Sequence, residues 1–447
     1  MDSQTEYLLS LRAIRERAKI VADATHAGEL SHFDFHEDLL GDVADFVTSV
    51  IKFPDMVSSF QRDYGPDKFD TIPPHGRWQH FDLGNVPRIT ALIRDWKVDA
   101  AKCDNYEVTR RLVDLFFVSV LLDAGAGDHW RYIEPSTERE YERSEGIAVA
   151  SLYMFQSLAF AYTEHESDKV PLVNGKLLIE RKGLEQLRTD VLEQGFQVSD
   201  SNSMLGIASR GDLLRSLGRS LLAHPDIFGN EGRPGNLVDY MIKTAGGSSE
   251  LDIITLWDTL QTLLIPIWPK DRITIAGKAI GDAWPLQVLQ RKACSSHNLT
   301  DSIQPFHKLT QWLTYSLMVP FQRILGLQWV NAESLTALAE YRNGGLFVDL
   351  GVLQLKKEAL NRGLKESGGL LPMFEAGDDV IVEWRAVTLA LIDELYKMVL
   401  SRMDGVHLTM AQLLEAGSWK SGREVAAKHR PETKSSPILI KSDGTVF

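Results

Sequence analysis

The spacing of apolar residues along the chain predicts a protein built mainly from α-helices. Apolar side chains recur every three or four residues over long stretches, which places them on one face of a helix. This pattern predicts helices at residues 108–124, 145–160, 212–222, 251–264, 306–317 and 380–403. Strand-like runs are short, the clearest being residues 438–440 and 445–447 on either side of an Asp-Gly turn pair. We therefore expect a mainly α, multi-helix globular fold with a minor β component.

The chain has 447 residues, more than one hydrophobic core usually organises. Polar, turn-rich segments separate the helical stretches at residues 164–174, 230–236, 244–250 and 429–437. They predict an N-terminal helical lobe, a middle helical lobe, a C-terminal helical lobe and a docked C-terminal tail, at residues 1–165, 166–300, 301–430 and 431–447 respectively.

The composition is that of a soluble globular protein, with 44% hydrophobic and 24% charged residues. A net charge of −13 argues against a broad nucleic-acid surface, and no run of 18 apolar residues is present to span a membrane. The N-terminus lacks an apolar signal core, and the two cysteines lack metal-ligand spacing. We expect a cytoplasmic protein without nucleic-acid or membrane partners, for which a homodimer remains open.

The stretch LAEYRNGGLFVDLGVL at residues 338–353 concentrates charge within apolar sequence. It places four polar residues around the pair Gly344-Gly345, namely Glu340, Arg342, Asn343 and Asp349. Buried charges are costly unless they are paired or put to use. Two carboxylates and a guanidinium in one low-dielectric pocket would shift each other's pKa, as acid–base chemistry requires. The alternative is a helix end with glycine as its C-cap and a structural ion pair.

Two further segments combine charges with tryptophan. In PPHGRWQHFD at residues 73–82, the two prolines predict a loop or late strand, where His80 and Asp82 would face the same way. In LLDAGAGDHWRY at residues 121–132, Asp123 ends a predicted helix, where the helix dipole disfavours a carboxylate and a partner is expected. The alternatives are an exposed loop with incidental histidines and a helix end with a glycine C-cap.

The helix predicted at residues 306–317 carries a polar and aromatic face. His307, Gln311 and Tyr315 follow one another at four-residue intervals, and Trp312 lies on the neighbouring stripe. Such a face can line a sugar or base pocket. A core histidine with satisfied hydrogen bonds explains the same pattern.

The helix predicted at residues 380–403 is apolar on most sides, which indicates burial. Glu383 and Arg385 near its start therefore need partners, and Glu340 and Arg342 are candidates. Common signatures of nucleotide hydrolysis, dinucleotide binding and serine hydrolysis, GxxxxGK[ST], a GxGxxG after a strand and GxSxG, do not occur in the sequence.

These segments together resemble one protein family, the fourth, URC-type, uracil-catabolism family of fungi and bacteria. The resemblance covers residues 73–447 and rests on PPHGRWQHFD, VLLDAGAGDHWRY, RSEGIAVAS, PFHKLTQWLTYSL, LAEYRNGGLFVDLGVL, VEWRAVTLALID and SDGTVF, in this order. It implies a place in a pyrimidine-degradation route that opens the uracil ring while the base still carries its ribose. The step expected of this family is the release of urea from a ribosylurea, with or without a 5′-phosphate.

The family is also distantly similar to the queuosine-salvage N-ribohydrolases, helical proteins related in shape to DNA glycosylases. This similarity implies a DNA-glycosylase-like core. In those enzymes an Ala-Asp-Tyr-Arg stretch carries the acidic residue, and residues 339–342, Ala-Glu-Tyr-Arg, form the analogous run here. Glu340 replaces the aspartate, and Asp349 is an alternative.

The resemblance and the residues together lead to the hypothesis of an N-glycoside hydrolase acting on a small ribosyl substrate. Glu340 or Asp349 would stabilise an oxocarbenium-like cation or activate water, and Asp123 and His307 would transfer protons. The substrate-binding candidates are Arg342, Asn343, Arg77, Trp78, His80, Trp130, Arg131, Gln311, Trp312, Tyr315, Glu383 and Arg385. This mechanism requires neither a metal nor an organic cofactor.

Two alternatives remain. A metal-assisted amidohydrolase could cut a ureido C–N bond with His75, His80 and Asp82 as metal ligands. A non-catalytic scaffold that joins pathway enzymes would also be consistent with the acidic charge and the amphipathic N-terminal helix.

Overall fold

The computed structural model describes residues 3–53, 68–99, 103–123, 129–161, 172–173, 177–178, 181–268, 272–275, 277–293 and 298–441. Within these ranges the fold is mainly α-helical with few, short strands, as the sequence predicted. The helices, α1 to α19 in chain order, are Ser3–Leu9, Leu11–His26, Leu40–Lys52, Arg77–Phe81, Arg88–Trp96, Asn105–Leu121, Arg143–Gln156, Thr189–Gly195, Ile207–Leu222, Pro225–Phe228, Leu237–Thr244, Ile253–Leu264, Gln287–Lys292, Lys308–Leu325, Tyr341–Asp349, Lys357–Ser367, Asp379–Arg402, Met410–Leu413 and Trp419–His429. No helix in the described ranges is long and apolar enough to cross a membrane.

In the described part of the chain, each strand pairs with a single other strand. In chain order, β1 to β14 are Phe33–Phe35, Tyr132–Ile133, Glu140–Tyr141, Leu177–Leu178, Arg181–Lys182, Glu250–Asp252, Thr274–Ile275, Lys278–Ala279, Ala283–Pro285, Ile303–Pro305, Gln328–Val330, Leu353–Leu355, Met373–Glu375 and Leu439–Lys441. Strands β6 and β11 pair in parallel, as do β13 and β14; the pairs β1–β12, β2–β3, β4–β5, β7–β8 and β9–β10 are antiparallel. Two-stranded ladders are too small to form a core of their own, so the helices supply it.

The chain forms two compact units, each assembled from separated stretches. The first unit comprises Met1–His75, Arg272–Gln311 and Glu333–Ser442, and the second comprises Gly76–Asp271, Trp312–Ala332 and Asp443–Phe447. The units are therefore not consecutive in sequence, in contrast to the lobes expected from the turn-rich segments.

Helix α17 forms the centre of the first unit. Every residue from Val380 to Ile392 is buried, and helices α2, α3 and α15 pack against it. A helix that is apolar on all sides must be surrounded by other elements. The burial predicted for residues 380–403 is confirmed over this part of the helix.

The glycines of the charged stretch serve close packing. Gly344 and Gly345 lie inside α15, so the alternative that they form a helix C-cap is wrong. A Cβ on Gly344 would lie 2.8 Å from the Trp384 ring and from the Thr388 hydroxyl, both on α17. On the other side, a Cβ on Gly422 of α19 would lie 2.1 Å from the Arg342 carbonyl oxygen. Helix α15 is therefore held between two helices at distances that a larger side chain would not allow.

Helix α6 has the corresponding position in the second unit, where it packs against α4, α7, α9 and α11. All its residues from Arg111 to Leu121 are buried. The buried Asp114 carboxylate accepts hydrogen bonds from Arg233 Nε at 2.8 Å and from the Gly235 backbone at 2.7 Å. This carboxylate ties the loop before α11 to the centre of the unit.

The local prediction for residues 73–82 needs correction. The segment at residues 73–82 contains helix α4, because its prolines precede the helix and only fix the extended entry. On a helix His80 and Asp82 face different directions.

Strand β14, predicted at residues 438–440, pairs with β13. The predicted run at residues 445–447 and the turn pair before it lie outside the described residues, as do residues 124–128.

Candidate functional site

Glu340 caps the N-terminus of α15 in the first unit. Its extended backbone precedes the helix, and its two carboxylate oxygens accept the backbone N–H groups of Arg342 at 2.7 Å and Asn343 at 2.5 Å. A helix N-terminus leaves such N–H groups without partners inside the helix and carries positive potential. The sequence folds in this way because an acidic side chain here satisfies both requirements.

The environment of Glu340 favours the protonated carboxyl more than that of an ordinary surface glutamate does. The residue remains partly exposed, yet desolvation by the surrounding protein raises its pKa above the ordinary value. The two backbone donors, followed by the charges of Lys308 and Arg342, act in the opposite direction and favour the ionised form. A carboxylate under these opposed influences is a candidate acid or base.

A buried ion pair fixes the backbone next to Glu340. The Arg385 guanidinium donates to both Asp282 oxygens at 2.8 and 2.7 Å, and its Nε donates to the Ala339 carbonyl oxygen at 3.1 Å. Asp282 also accepts from the Trp284 indole at 2.8 Å and from the Lys308 backbone N–H at 3.1 Å. The pair therefore links the start of α14 to the residue before Glu340.

Two buried side-chain amides near this turn have oxygen atoms without a hydrogen-bond partner among the described residues. The Asn343 amide nitrogen donates to the Leu338 carbonyl at 3.1 Å, and the Gln311 amide nitrogen donates to the Thr336 hydroxyl at 2.9 Å. In each amide the oxygen is buried and unpaired within that part of the chain. Unpaired buried acceptors are uncommon and require an explanation. A ligand rich in N–H or O–H donors would satisfy them.

Asp349 lies at the opposite end of α15 from Glu340. Nine residues of helix rise by roughly 13 Å, so the two carboxylates cannot act on one bond. Asp349 accepts a two-pronged ion pair from Arg430, at 2.8 and 2.5 Å. This geometry joins the end of α15 to the end of α19 and favours a structural role for Asp349.

His307 is buried just before α14, with a backbone φ of 45°. Its Nε2 lies 2.9 Å from the Leu8 carbonyl oxygen, to which it donates. Burial lowers the pKa of His307, although this hydrogen bond and the charge of Asp282 act in the opposite direction. The imidazole is therefore neutral at pH 7 and committed to a backbone acceptor. This geometry argues against a proton-donating role.

The partners predicted for Glu383 and Arg385 are wrong. Glu383 accepts the backbone N–H groups of Ser31 and His32, both at 2.7 Å, whereas Arg385 pairs with Asp282. The Glu340 carboxylate instead accepts hydrogen bonds from backbone N–H groups at the start of α15. Sequence separation conceals these pairs, because each joins elements that meet only in the folded unit.

Arg77 and Asp123 form the corresponding buried pair in the second unit. Arg77 Nη1 donates to Asp123 at 2.6 Å and to the Ser144 carbonyl at 3.2 Å, while Nε and Nη2 donate to the hydroxyl and carbonyl of Ser119. The Ser144 hydroxyl donates to the other Asp123 oxygen at 3.0 Å. The partner expected for Asp123 at the end of its helix is thus Arg77. Each Asp123 oxygen therefore accepts one of these hydrogen bonds.

Aromatic residues surround this pair. The Trp312 ring lies 5.3 Å from the Arg77 guanidinium carbon and 5.9 Å from the His80 ring. The Trp130 indole is fully buried and donates to the Phe196 carbonyl at 2.8 Å. The remaining predicted residues of this unit lie as follows: Trp78 donates to Asp82, Arg131 pairs with Glu142, and Tyr315 is buried.

Two of the three donors proposed for a metal site, His75 and Asp82, have hydrogen-bond partners within the protein. His75 belongs to the first unit, where its Nδ1 lies 2.7 Å from a Glu415 oxygen. Asp82 in the second unit accepts from the Trp78 indole and the Ile89 backbone. In the described part of the chain no three or more His, Cys, Asp or Glu side chains are grouped to hold a metal ion.

The structure therefore divides the predicted residues between the units. The first unit brings together Glu340, Asn343, Gln311, Arg342 and Arg385, and the second brings together Arg77, Asp123, Trp312 and His80. Sequence reasoning did not select Asp282, Lys308 or Glu415 as site residues, and it named His75 only as a metal ligand of the alternative amidohydrolase. An acid in the loop GDAWP was the available signal for Asp282.

Comparison with known proteins identifies the family. The family described as protein of unknown function (DUF1688) matches residues 7–447. The chain is 45% identical over 443 residues to protein urg3 of Schizosaccharomyces pombe, which covers 98% of each chain. It is 43% identical over 461 residues to uracil catabolism protein 4 of Lachancea kluyveri, which covers 100% of each chain. The resemblance to the uracil-catabolism family is thereby confirmed, and this chain belongs to the DUF1688 family.

Proposed function

We propose that this protein acts in uracil degradation as a hydrolase that cleaves the N-glycosidic bond of a ribosylurea, releasing urea and ribose. The relative named uracil catabolism protein 4 supports the pathway. The observation that carries the reaction is Glu340, a partly exposed carboxylate whose pKa is raised by desolvation and whose position is fixed by two backbone N–H groups.

Breaking a ribose C1–N bond develops positive charge on C1 and negative charge on the departing nitrogen. An ionised Glu340 beside C1 would stabilise that cation and accept a proton from the attacking water. The Asp282–Arg385 pair contributes by holding the Ala339 carbonyl, so the carboxylate need not reorganise during the reaction.

The unpaired amide oxygens favour a ureido group as the ligand. A urea substituent presents several N–H donors and one carbonyl acceptor. Asn343 and Gln311 each offer a buried oxygen that is unpaired among the described residues, and each amide nitrogen is already engaged. A site that leaves buried acceptors unpaired discriminates against a ligand without donors, because the desolvation cost is then not compensated.

The test incubates purified protein with synthetic ribosylurea and with its 5′-phosphate, and measures urea and the free sugar. We expect Glu340→Gln, which keeps the size and removes the charge, to lower kcat on the order of hundred-fold or more. The matched control is Glu333→Gln, because Glu333 is an exposed acid only seven positions earlier in the same unit. This control should retain full activity.

Three results would contradict the proposal. If neither substrate is cleaved at high protein concentration, the scaffold alternative is favoured. If ammonia and carbamate appear instead of urea, the ureido amidohydrolase is favoured. If Glu340→Gln is folded and fully active, Glu340 is only a helix cap, whose removal should cost about 1 kcal/mol of stability.

A further inference from the structure

A buried histidine and glutamate form a hydrogen-bonded pair in the first unit that the reaction described so far does not use. His75 Nδ1 lies 2.7 Å from a Glu415 oxygen, and both side chains are only 5% exposed. The backbone N–H of His75 donates to the Ala411 carbonyl at 2.9 Å, and its ring contacts Trp419. Position and rotation of the imidazole are therefore both fixed.

The pairing determines which ring nitrogen can exchange a proton. A carboxylate on Nδ1 holds a proton there, so Nε2 is the atom left to gain or lose one. Among the described residues no group is hydrogen-bonded to Nε2 of His75. A carboxylate that orients a histidine whose second nitrogen remains available is the arrangement used for acid–base catalysis on several unrelated folds.

Glu415 lies in an unusual piece of helix. Residues Leu414–Ser418 form a π-helical turn between α18 and α19. Such turns insert one residue into the helix and are frequent at functional sites. Within or beside this turn, the Ser418 and Ser421 hydroxyls are fully buried and lack a hydrogen-bond partner among the described residues. These two unpaired buried hydroxyls, in the helical segment that carries Glu415, could be satisfied by a polar ligand.

The helical segment that carries Glu415 also packs against α15, the helix that Glu340 caps. The Leu414–Ser418 turn and α19 both contact α15, and Gly422 lies directly against the Arg342 carbonyl, in the first turn of α15. Glu340 caps that turn. Glu415 therefore lies in the helical segment packed against α15 within a single unit, and His75 is hydrogen-bonded to it.

We propose that His75, oriented by Glu415, donates the proton to the departing nitrogen in the reaction proposed for this protein. The C1–N bond breaks, its electron pair passes to the nitrogen, and doubly protonated His75 gives up the proton on Nε2 to complete the urea while keeping the one on Nδ1. Water supplies hydroxide to C1, and Glu340 receives the remaining proton. One water is consumed, and His75 and Glu340 return to their starting states by exchange with solvent. This inference rests on the proposed function and assigns a catalytic role to His75 and a positioning role to Glu415.

Leaving-group dependence tests the inference. Urea leaves poorly without a proton, whereas 4-nitrophenolate leaves as a stable anion. We expect His75→Gln to lower kcat for ribosylurea roughly 10²- to 10⁴-fold but to change the rate for 4-nitrophenyl riboside by only a few-fold. Glu340→Gln should lower both rates. His407→Gln, at an exposed histidine of the same unit, is the matched control and should change neither.

A spectroscopic measurement separates positioning from general structural damage. In ¹⁵N NMR spectra, the neutral form of His75 should carry its single proton on Nδ1, and Glu415→Gln should abolish that preference. The ribosylurea rate of Glu415→Gln should fall with the leaving-group selectivity seen for His75→Gln. In His75→Gly, added imidazole should restore turnover of ribosylurea.

The outcomes distinguish this inference from the function on which it rests. If the wild-type protein releases urea and His75→Gln does so equally fast, the role of His75 is refuted and the hydrolase stands. Equal losses with both substrates, without rescue by imidazole, also refute it and leave a structural pair. If the wild-type protein does not cleave ribosylurea, both the function and the inference fail.

Discussion

The buried Asp282–Arg385 pair should be among the most sensitive positions of the fold. In Asp282→Asn one of two complementary charges disappears, and Arg385 remains in a site where its side chain is only 3% exposed. The variant also weakens the contacts of Asp282 with the Trp284 indole and the Lys308 backbone. An unpaired buried charge is far more costly than an unpaired surface charge.

The magnitude follows from the structure in two ways. Burial by itself would raise the pKa of Asp282, but the charge and hydrogen bonds of Arg385 outweigh it and hold the pKa at about 2. Measured from an ordinary value of 3.8, this shift corresponds to stabilisation on the order of 2 kcal/mol. Removal of one partner from a buried pair usually costs about 3–5 kcal/mol. We therefore expect Asp282→Asn to lose about 3 kcal/mol in the free energy of unfolding.

Urea denaturation of the purified protein measures this loss. Asp45→Asn is the control, because Asp45 pairs with Arg402 at 2.6 Å with a side chain that is 68% exposed, and it should lose less than about 1 kcal/mol. In a double-mutant cycle, Asp282→Asn with Arg385→Met should cost less than the sum of the single variants. Stabilisation by the ionised Asp282 is complete above about pH 4 and lost as pH falls toward 2, so the difference from wild type should shrink there.

The reasoning would be refuted if Asp282→Asn and Asp45→Asn lost the same stability. It would also be refuted if the double-mutant cycle were additive, because an interacting buried pair must show coupling. A variant that unfolds in two separate transitions would require each transition to be analysed separately, and the expected loss then applies to the transition of the first unit.

Two further predictions concern packing and pH. Gly422→Ala should lower the free energy of unfolding by about 1–3 kcal/mol, because its Cβ would lie 2.1 Å from the Arg342 carbonyl oxygen. The control Gly369→Ala should be neutral, because the nearest atom, in Ser367, is 3.8 Å away. Thermal melting compares the two variants. Burial raises the pKa of Asp114 to about 6, so its ionisation destabilises the fold as pH rises between about 4 and 6. Between pH 4 and 6.5, the urea midpoint of Asp114→Asn should therefore decline less than that of wild type; an identical decline would contradict this.

Local sequence identified the charged turn but not its organisation. The residues of Ala-Glu-Tyr-Arg-Asn lie consecutively, so their proximity to one another required no tertiary information. Assigning different roles to these residues did require tertiary information. Glu340 and Asp349 are at opposite ends of one helix, and this became evident only once the helix was known to run between them. The glycine pair gave a misleading signal, because glycine serves close packing inside a helix as well as a helix end.

The sequence by itself determined that the chain is mainly helical and which helix is buried on all sides, because the apolar period is a local property of each segment. Only the tertiary structure decided which buried charges meet. Asp282 and Arg385 are 103 residues apart, and His75 and Glu415 are 340 residues apart. Pairs of this kind form because every buried charge needs a partner at hydrogen-bond distance, and the choice among many acids and bases depends on how helices pack rather than on their order in the chain.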